Sequence, residues 1–137
     1  MKLLLDTNIF AEVIFKRRQA AVARRLINSS HHELHLTTFA LYSLGLLLFR
    51  GGYNHLWQRF LNDLIISGQV QVVTLGHPEL ATVISVAQRL SLDFDDAYQY
   101  VTAEVNNFTL VSFDKDFDHT PRGRQTPQAI LRLTPTP

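Results

Sequence analysis

Three consecutive leucines, Leu3 to Leu5, open the chain, and a polar triplet, Asp6-Thr7-Asn8, stops them. So short a continuous apolar run reads as a strand covered on both faces, and the triplet supplies turn and helix-cap residues. Helical periods follow over 9–15 and 17–28. In the second, Val22 and Leu26, and Ala23 and Ile27, stand four residues apart before Asn28-Ser29-Ser30 breaks the pattern. A short strand is predicted at 34–36. Thr37 and Thr38 are suited to cap a helix over 39–49, which is apolar nearly all round and is therefore expected to be buried. Gly51-Gly52 ends it. Leu56, Phe60 and Leu64, with Trp57, Leu61 and Ile65, form the stripe of the next helix, which stops at Gly68. A strand is predicted at 70–75. His77-Pro78 then opens a helix with Leu80, Val83, Ile84 and Ala87 facing inward. A further helix from Asp93 is expected to bury Phe94, Ala97, Tyr98, Val101 and Val105, and Asn106-Asn107 stops it. A strand at 109–111, a polar loop, a fifth strand at 129–133 and a frayed Thr-Pro tail complete the pattern.

Strands alternate with helices throughout. That pattern predicts an α/β fold, three layers α/β/α around a mostly parallel sheet. No repeat, low-complexity tract or linker divides the chain, so a single domain over 1–137 is expected. A chain of 137 residues buries roughly two-thirds of its unfolded surface and needs no covalent staple. With 46% hydrophobic and 18% charged residues it is too apolar to be disordered. The absence of cysteine excludes a disulfide framework, a thiolate zinc site and a cysteine nucleophile. Asp6 interrupts the leucine run too early for a secretory leader, and 39–49 is too short to span a bilayer. The expectation is a soluble, cytoplasmic protein.

Charge is uneven. Residues 1–62 carry eight Lys/Arg against three Asp/Glu, and residues 63–137 carry five against nine, so +5 faces −4. This asymmetry suggests a polyanion grip beside a cation site, although ordinary surface charge gives the same balance. Functional groups of open parallel sheets gather beyond the carboxyl ends of the strands. Asp6 follows the first strand and Asp114 the fourth. Asp96 lies in the first turn of the helix that feeds the fourth strand. Singly, each reads as a cap or turn residue. Together they make an acidic cluster whose members raise one another's pKa unless a cation sits among them. A hard divalent ion, Mg²⁺ or Mn²⁺, suits such oxygen ligands.

These segments resemble the motifs of the PIN-domain nucleases, the family that includes the VapC-like toxins. Leu3-Leu4-Leu5-Asp6-Thr7-Asn8 is similar to their opening, and Asp95-Asp96-Ala97 with its helix to their third motif. Leu110-Val111-Ser112-Phe113-Asp114-Lys115-Asp116-Phe117 is similar to their fourth. The motifs appear in family order from Met1 to the last strand. The resemblance implies metal-assisted hydrolysis of RNA, with Asp6, Asp96 and Asp114 as catalytic metal ligands for Mg²⁺ or Mn²⁺. Asp116 is a further ligand candidate, and Asn8, Ser43, Asp95 and Ser112 would orient the ligands or a water from behind them. It also implies a homodimer and, for a toxin, an antitoxin protein. One departure stands out. The family usually places Glu in the helix after strand two, where this chain has Ser43, a neutral residue and a poor ligand for a hard cation. An inert binding module on the same scaffold is therefore the competing expectation. A Mg²⁺-dependent phosphatase of another α/β family is disfavoured, because Asp6-Thr7-Asn8 lacks a second Asp two residues on.

For the RNA, Arg17 and Arg18, with Lys16, Arg24 and Arg25, and Arg122 and Arg124 in Pro121-Arg122-Gly123-Arg124 are candidate phosphate contacts; a solvated helix face is the plain alternative for Arg24 and Arg25. His31, His32 and His35 read as surface or loop residues. Trp57, Phe60, Tyr98 and Tyr100 are open to base stacking, but Trp57 and Phe60 fall in an apolar stripe and read better as packing.

Overall fold

The computed structural model describes residues 1–133; the Thr-Pro tail lies outside the described residues. Strand β1 (Lys2–Leu5) leads into α1 (Thr7–Ile14) and α2 (Ala20–Ile27), then β2 (Glu33–Thr37) and α3 (Thr38–Arg50). Helix α4 (Asn54–Phe60) runs on into a wide π-helical turn, Leu61–Ile66, before β3 (Val70–Val73). Next come α5 (His77–Leu90), α6 (Phe94–Asn106), β4 (Thr109–Val111), a 3₁₀ turn (Lys115–Phe117) and α7 (Pro127–Leu133). The sheet order is β3-β2-β1-β4, and each adjacent pair is parallel. β1 therefore lies inside the sheet, with Leu4 opposite both His35 and Leu110.

The pleat explains the leucine run. Leu3 and Leu5 point into a core built with α1, α2, α3 and α7, while Leu4 points into the other, built with α5 and α6. All three are fully buried. Helices thus cover both faces of a parallel sheet, as the alternation predicts. Among the described residues no helix is long and apolar enough to cross a membrane.

Several expectations are corrected. The fifth strand predicted at 129–133 is helix α7. Thr126 accepts the Ala129 N–H on its side chain and the Ile130 N–H on its carbonyl, and Pro127 occupies the first turn, so the segment is capped as a helix. Among the described residues, Gln125 alone extends the sheet, through a single parallel bridge to Val111. The helix predicted from residue 17 begins at Ala20, after Lys16 turns the chain at φ 51°. α3 is not buried all round: Tyr42, Leu46, Leu47 and Phe49 are exposed, while Ala40, Leu41, Leu44 and Leu48 face the core. On α5 the buried stripe is Val83 and Val86, backed by Ala87 and Leu90, which leaves Leu80 and Ile84 outside. Phe94 and Val105 of α6 are likewise exposed. His35 is not a loop residue. It lies buried in β2, with its ring nitrogen 3.1 Å from the Leu3 carbonyl and its ring stacked on Phe108 at 4.1 Å.

Ile130 is fully buried among the residues of the first core. Ile130→Ala should therefore cost about 2–5 kcal/mol in urea unfolding, the range for a core Ile-to-Ala truncation. A loss under about 1 kcal/mol would show that α7 does not belong to the cooperative core.

Candidate active site

The ends of β1 and β4 lie side by side because the Asp6 N–H donates to the Val111 carbonyl at 2.9 Å. Asp6 caps α1, its Oδ1 accepting the Thr7 N–H at 2.7 Å. The same oxygen accepts Gln99 Nε2 at 2.5 Å. Oδ2 accepts the Ser112 hydroxyl at 2.6 Å and Asn8 Nδ2 at 3.3 Å. Asp6 is only 6% exposed, so these donors replace water around its charge. Burial raises its pKa, the hydrogen bonds from Ser112, Gln99 and Thr7 oppose that rise, and the Asp114 charge adds to it.

Ser112 and Asn8 also fix the next acid. The Ser112 oxygen accepts the Asp114 N–H at 2.9 Å, and Asn8 Oδ1 accepts the Phe113 N–H at 3.3 Å. Asp114 in turn caps the 3₁₀ turn, accepting the Asp116 N–H at 2.8 Å, and the fully buried Phe117 anchors that turn. Asp96 arrives from the opposite layer. Asp93 caps α6 by accepting the Asp96 N–H at 3.0 Å, so the cap reading of the Asp93/Asp96 pair is correct. The Asp96 side chain nevertheless faces the pocket.

Asp96, Asp114 and Asp116 each offer a carboxylate oxygen, and these oxygens lie within 4.8 Å of one another. Asp6, Asn8, Phe39, Ser43, Asp95, Asp96, Gln99 and Asp114 share one open pocket of about 300 Å³. Burial, and then the charges of Asp93, Asp6, Asp114 and Asp116, push Asp96 up to about 7. Burial and Asp93 also raise Asp95. Converging hard oxygens, and an acid that burial and then repulsion push up to about 7, are the donor set and electrostatic state that a divalent cation suits.

The candidate phosphate contacts are not brought to this pocket. Arg17 and Arg18 follow the far end of α1, a helix of eight residues or about 12 Å, and Arg17 rests over the Phe15 ring. Arg122 donates to the Phe108 carbonyl at 3.0 Å, at the amino end of β4 and roughly 10 Å from its carboxyl end. Arg124 forms a two-pronged ion pair with Asp118 at 2.9 and 3.2 Å and also donates to the Ser112 carbonyl. Tyr98 and Tyr100 are buried; the Tyr98 hydroxyl accepts the Leu75 N–H and the Tyr100 hydroxyl the Arg122 N–H. Trp57 stacks on Phe60 at 5.9 Å as packing. Gln99 escaped the sequence reading. Its position three residues after Asp96 places both on one face of α6, but an amide in a helix carries no motif of its own.

A family model described as PIN domain matches residues 3–123. No curated protein matches the chain. Among solved structures, a chain of a toxin–antitoxin complex from Klebsiella pneumoniae superposes with TM-score 0.70 at 22% identity, over 91% of this chain and 97% of that one. VapBC2 from Rickettsia felis, bound to a DNA fragment from its promoter, gives 0.74 at 14% identity, over 92% and 98%. VapBC-1 from nontypeable Haemophilus influenzae gives 0.68 at 17%, over 93% and 99%. At these identities the likeness establishes the shared fold.

Two predictions follow from the electrostatics. Asp96 titrates near 7 in the folded chain but near an ordinary aspartate value of about 3.9 when unfolded. The folded state therefore holds the extra proton between those values. In chelator, the stability this proton confers is fully present below about pH 4 and is lost as pH rises through about 7. Asp96→Asn should flatten the profile over that window, and a wild-type profile already flat would contradict it. Asp6→Asn sets an amide NH₂ among four donors, so it should destabilise by about 1–3 kcal/mol in denaturant unfolding. The simpler expectation from repulsion alone, a fold left intact or improved, would be met only by an unchanged or higher midpoint.

Proposed function

Because the chain belongs to the PIN-domain family, we propose that it is a metal-dependent endoribonuclease that hydrolyses RNA phosphodiester bonds, and the toxin of a toxin–antitoxin pair. PIN domains are nucleases, so the hydrolase class follows from membership. The observation that supports the finer reading is the convergence of Asp96, Asp114 and Asp116 at a pocket that Asp6 also lines. Asp6, Asp96, Asp114 and Asp116 would hold Mg²⁺ or Mn²⁺. Such an ion lowers the pKa of a coordinated water and neutralises charge on the phosphate under attack. Asn8 and Ser112 hold Asp6 and the Asp114 backbone in register, which keeps the two strand ends from drifting apart. Asp95 adds negative charge at the pocket wall.

Ser43 supports the second reading, an inert binding module. It lines the pocket and contributes no carboxylate there. Arg17 and Arg18 are assigned to RNA phosphates remote from the scissile bond, with Arg122 and Arg124 as further contacts on the β4 side. The similar chain from Klebsiella pneumoniae comes from a toxin–antitoxin complex, which supports an antitoxin partner here. Exposed Tyr42, Leu46, Leu47 and Phe49 on α3 suit a homodimer interface in a cytoplasmic protein.

Purified protein should cut single-stranded RNA with Mg²⁺ or Mn²⁺ and stop when chelator is added. Asp96→Asn should lower the rate at least a hundredfold while the protein stays folded. Mn²⁺ binding without any cleavage, under every divalent ion, would transfer the assignment to the binding module. Arg17→Ala with Arg18→Ala should weaken RNA binding and flatten its salt dependence by about two counterions. An unchanged salt slope would remove these residues from the RNA path.

A further inference from the structure

Asp6 is saturated. A carboxylate offers about four acceptor sites, and Thr7 N–H, Gln99 Nε2, Asn8 Nδ2 and the Ser112 hydroxyl supply four donors. An ion that takes an Asp6 oxygen must displace one of them. The four are not equally replaceable. The Thr7 bond is the cap of α1, and Ser112 and Asn8 simultaneously hold the segment that carries Asp114. Gln99 alone comes from α6, and its amide makes no second bond: Oε1 is buried without a partner, in a side chain only 3% exposed. A buried acceptor left unpaired makes this the donor whose release loses least. Gln99 also lines the pocket it would turn within.

We propose that Gln99 is a positioning residue that holds Asp6 in the metal-free protein and yields its place on Oδ1 to the incoming divalent cation. The proposal rests on the reading of Asp6 as a metal ligand. Gln99 stabilises the free state and so competes with the ion. Removing the amide should destabilise the metal-free chain and tighten metal binding. A residue that merely supported the site's shape would do the opposite.

The experiment is calorimetric titration of Mn²⁺ into wild type and Gln99→Met, with thermal melts of both in chelator. Gln99→Met should melt lower without metal yet bind Mn²⁺ about tenfold more tightly. Equal or weaker Mn²⁺ binding by the variant overturns the proposal. Should Gln99→Met fail to fold, a crystal structure of the wild-type protein with Mn²⁺ decides. Loss of the Gln99 Nε2 to Asp6 Oδ1 bond supports the exchange, and its retention overturns it. The two readings fail separately. Wild type that binds no Mn²⁺ sinks the metal site itself along with the exchange, whereas wild-type binding with an unaltered Gln99→Met affinity sinks only the role of Gln99.

Discussion

A carboxylate at the end of an interior strand has little water to solvate it, and the chain must supply what water does not. For Asp6 that requirement draws three parts of the fold to one point: its own cap turn through Thr7 and Asn8, the end of β4 through Ser112, and α6 through Gln99. Each donor costs conformational freedom, and each is held by something else. Ser112 is fully buried and paired through its backbone to Gln125, and α6 is seated by Ala97, Val101 and Ala103 in the second core. The position of Asp114 depends on this knot, because Ser112 grips its backbone with the oxygen whose hydrogen goes to Asp6.

The acids around that knot repel, and the fold tolerates it at a few points. Asp93 is spent on a cap, the hydrogen bonds from Arg124 lower the pKa of Asp118, and Asp116 stays exposed. Asp96 takes strain from burial and four acidic neighbours, and Asp6 takes it from burial and Asp114. A neutral Ser43 on the same wall adds no further repulsion.

Much of the architecture was legible because it follows from solvent on a local scale. Leu3 to Leu5 had to be covered on both faces, and Asp6-Thr7-Asn8 had to turn. Strand ends could therefore be read, and with them the positions of Asp6 and Asp114. What failed was orientation around an axis. α3 carries more apolar residues than its core contact uses, so its hydrophobic pattern has no unique inner face. α7 was missed although Thr126-Pro127 is a helix-start signal, because five mostly apolar residues fit a short buried strand equally well. Arg122 and Arg124, candidate phosphate contacts by sequence, also hold parts of the fold together, which no local pattern announces. Their partners, the Phe108 carbonyl and Asp118, become neighbours only after β4 is in the sheet. Gln99 and His35 share that reason: their partners lie 93 and 32 residues away.

The strand order β3-β2-β1-β4 carries a further consequence for synthesis. β1 pairs with β2 about thirty residues on, but Asp6 meets Ser112 across a sequence separation of 106. While the chain emerges from a ribosome, the β1–β2–β3 half can assemble long before its last acids exist, since long-range closure comes late. A growing polypeptide short of Asp116 therefore has the β1–β2–β3 layer but not yet the full cluster of Asp96, Asp114 and Asp116 at its edge.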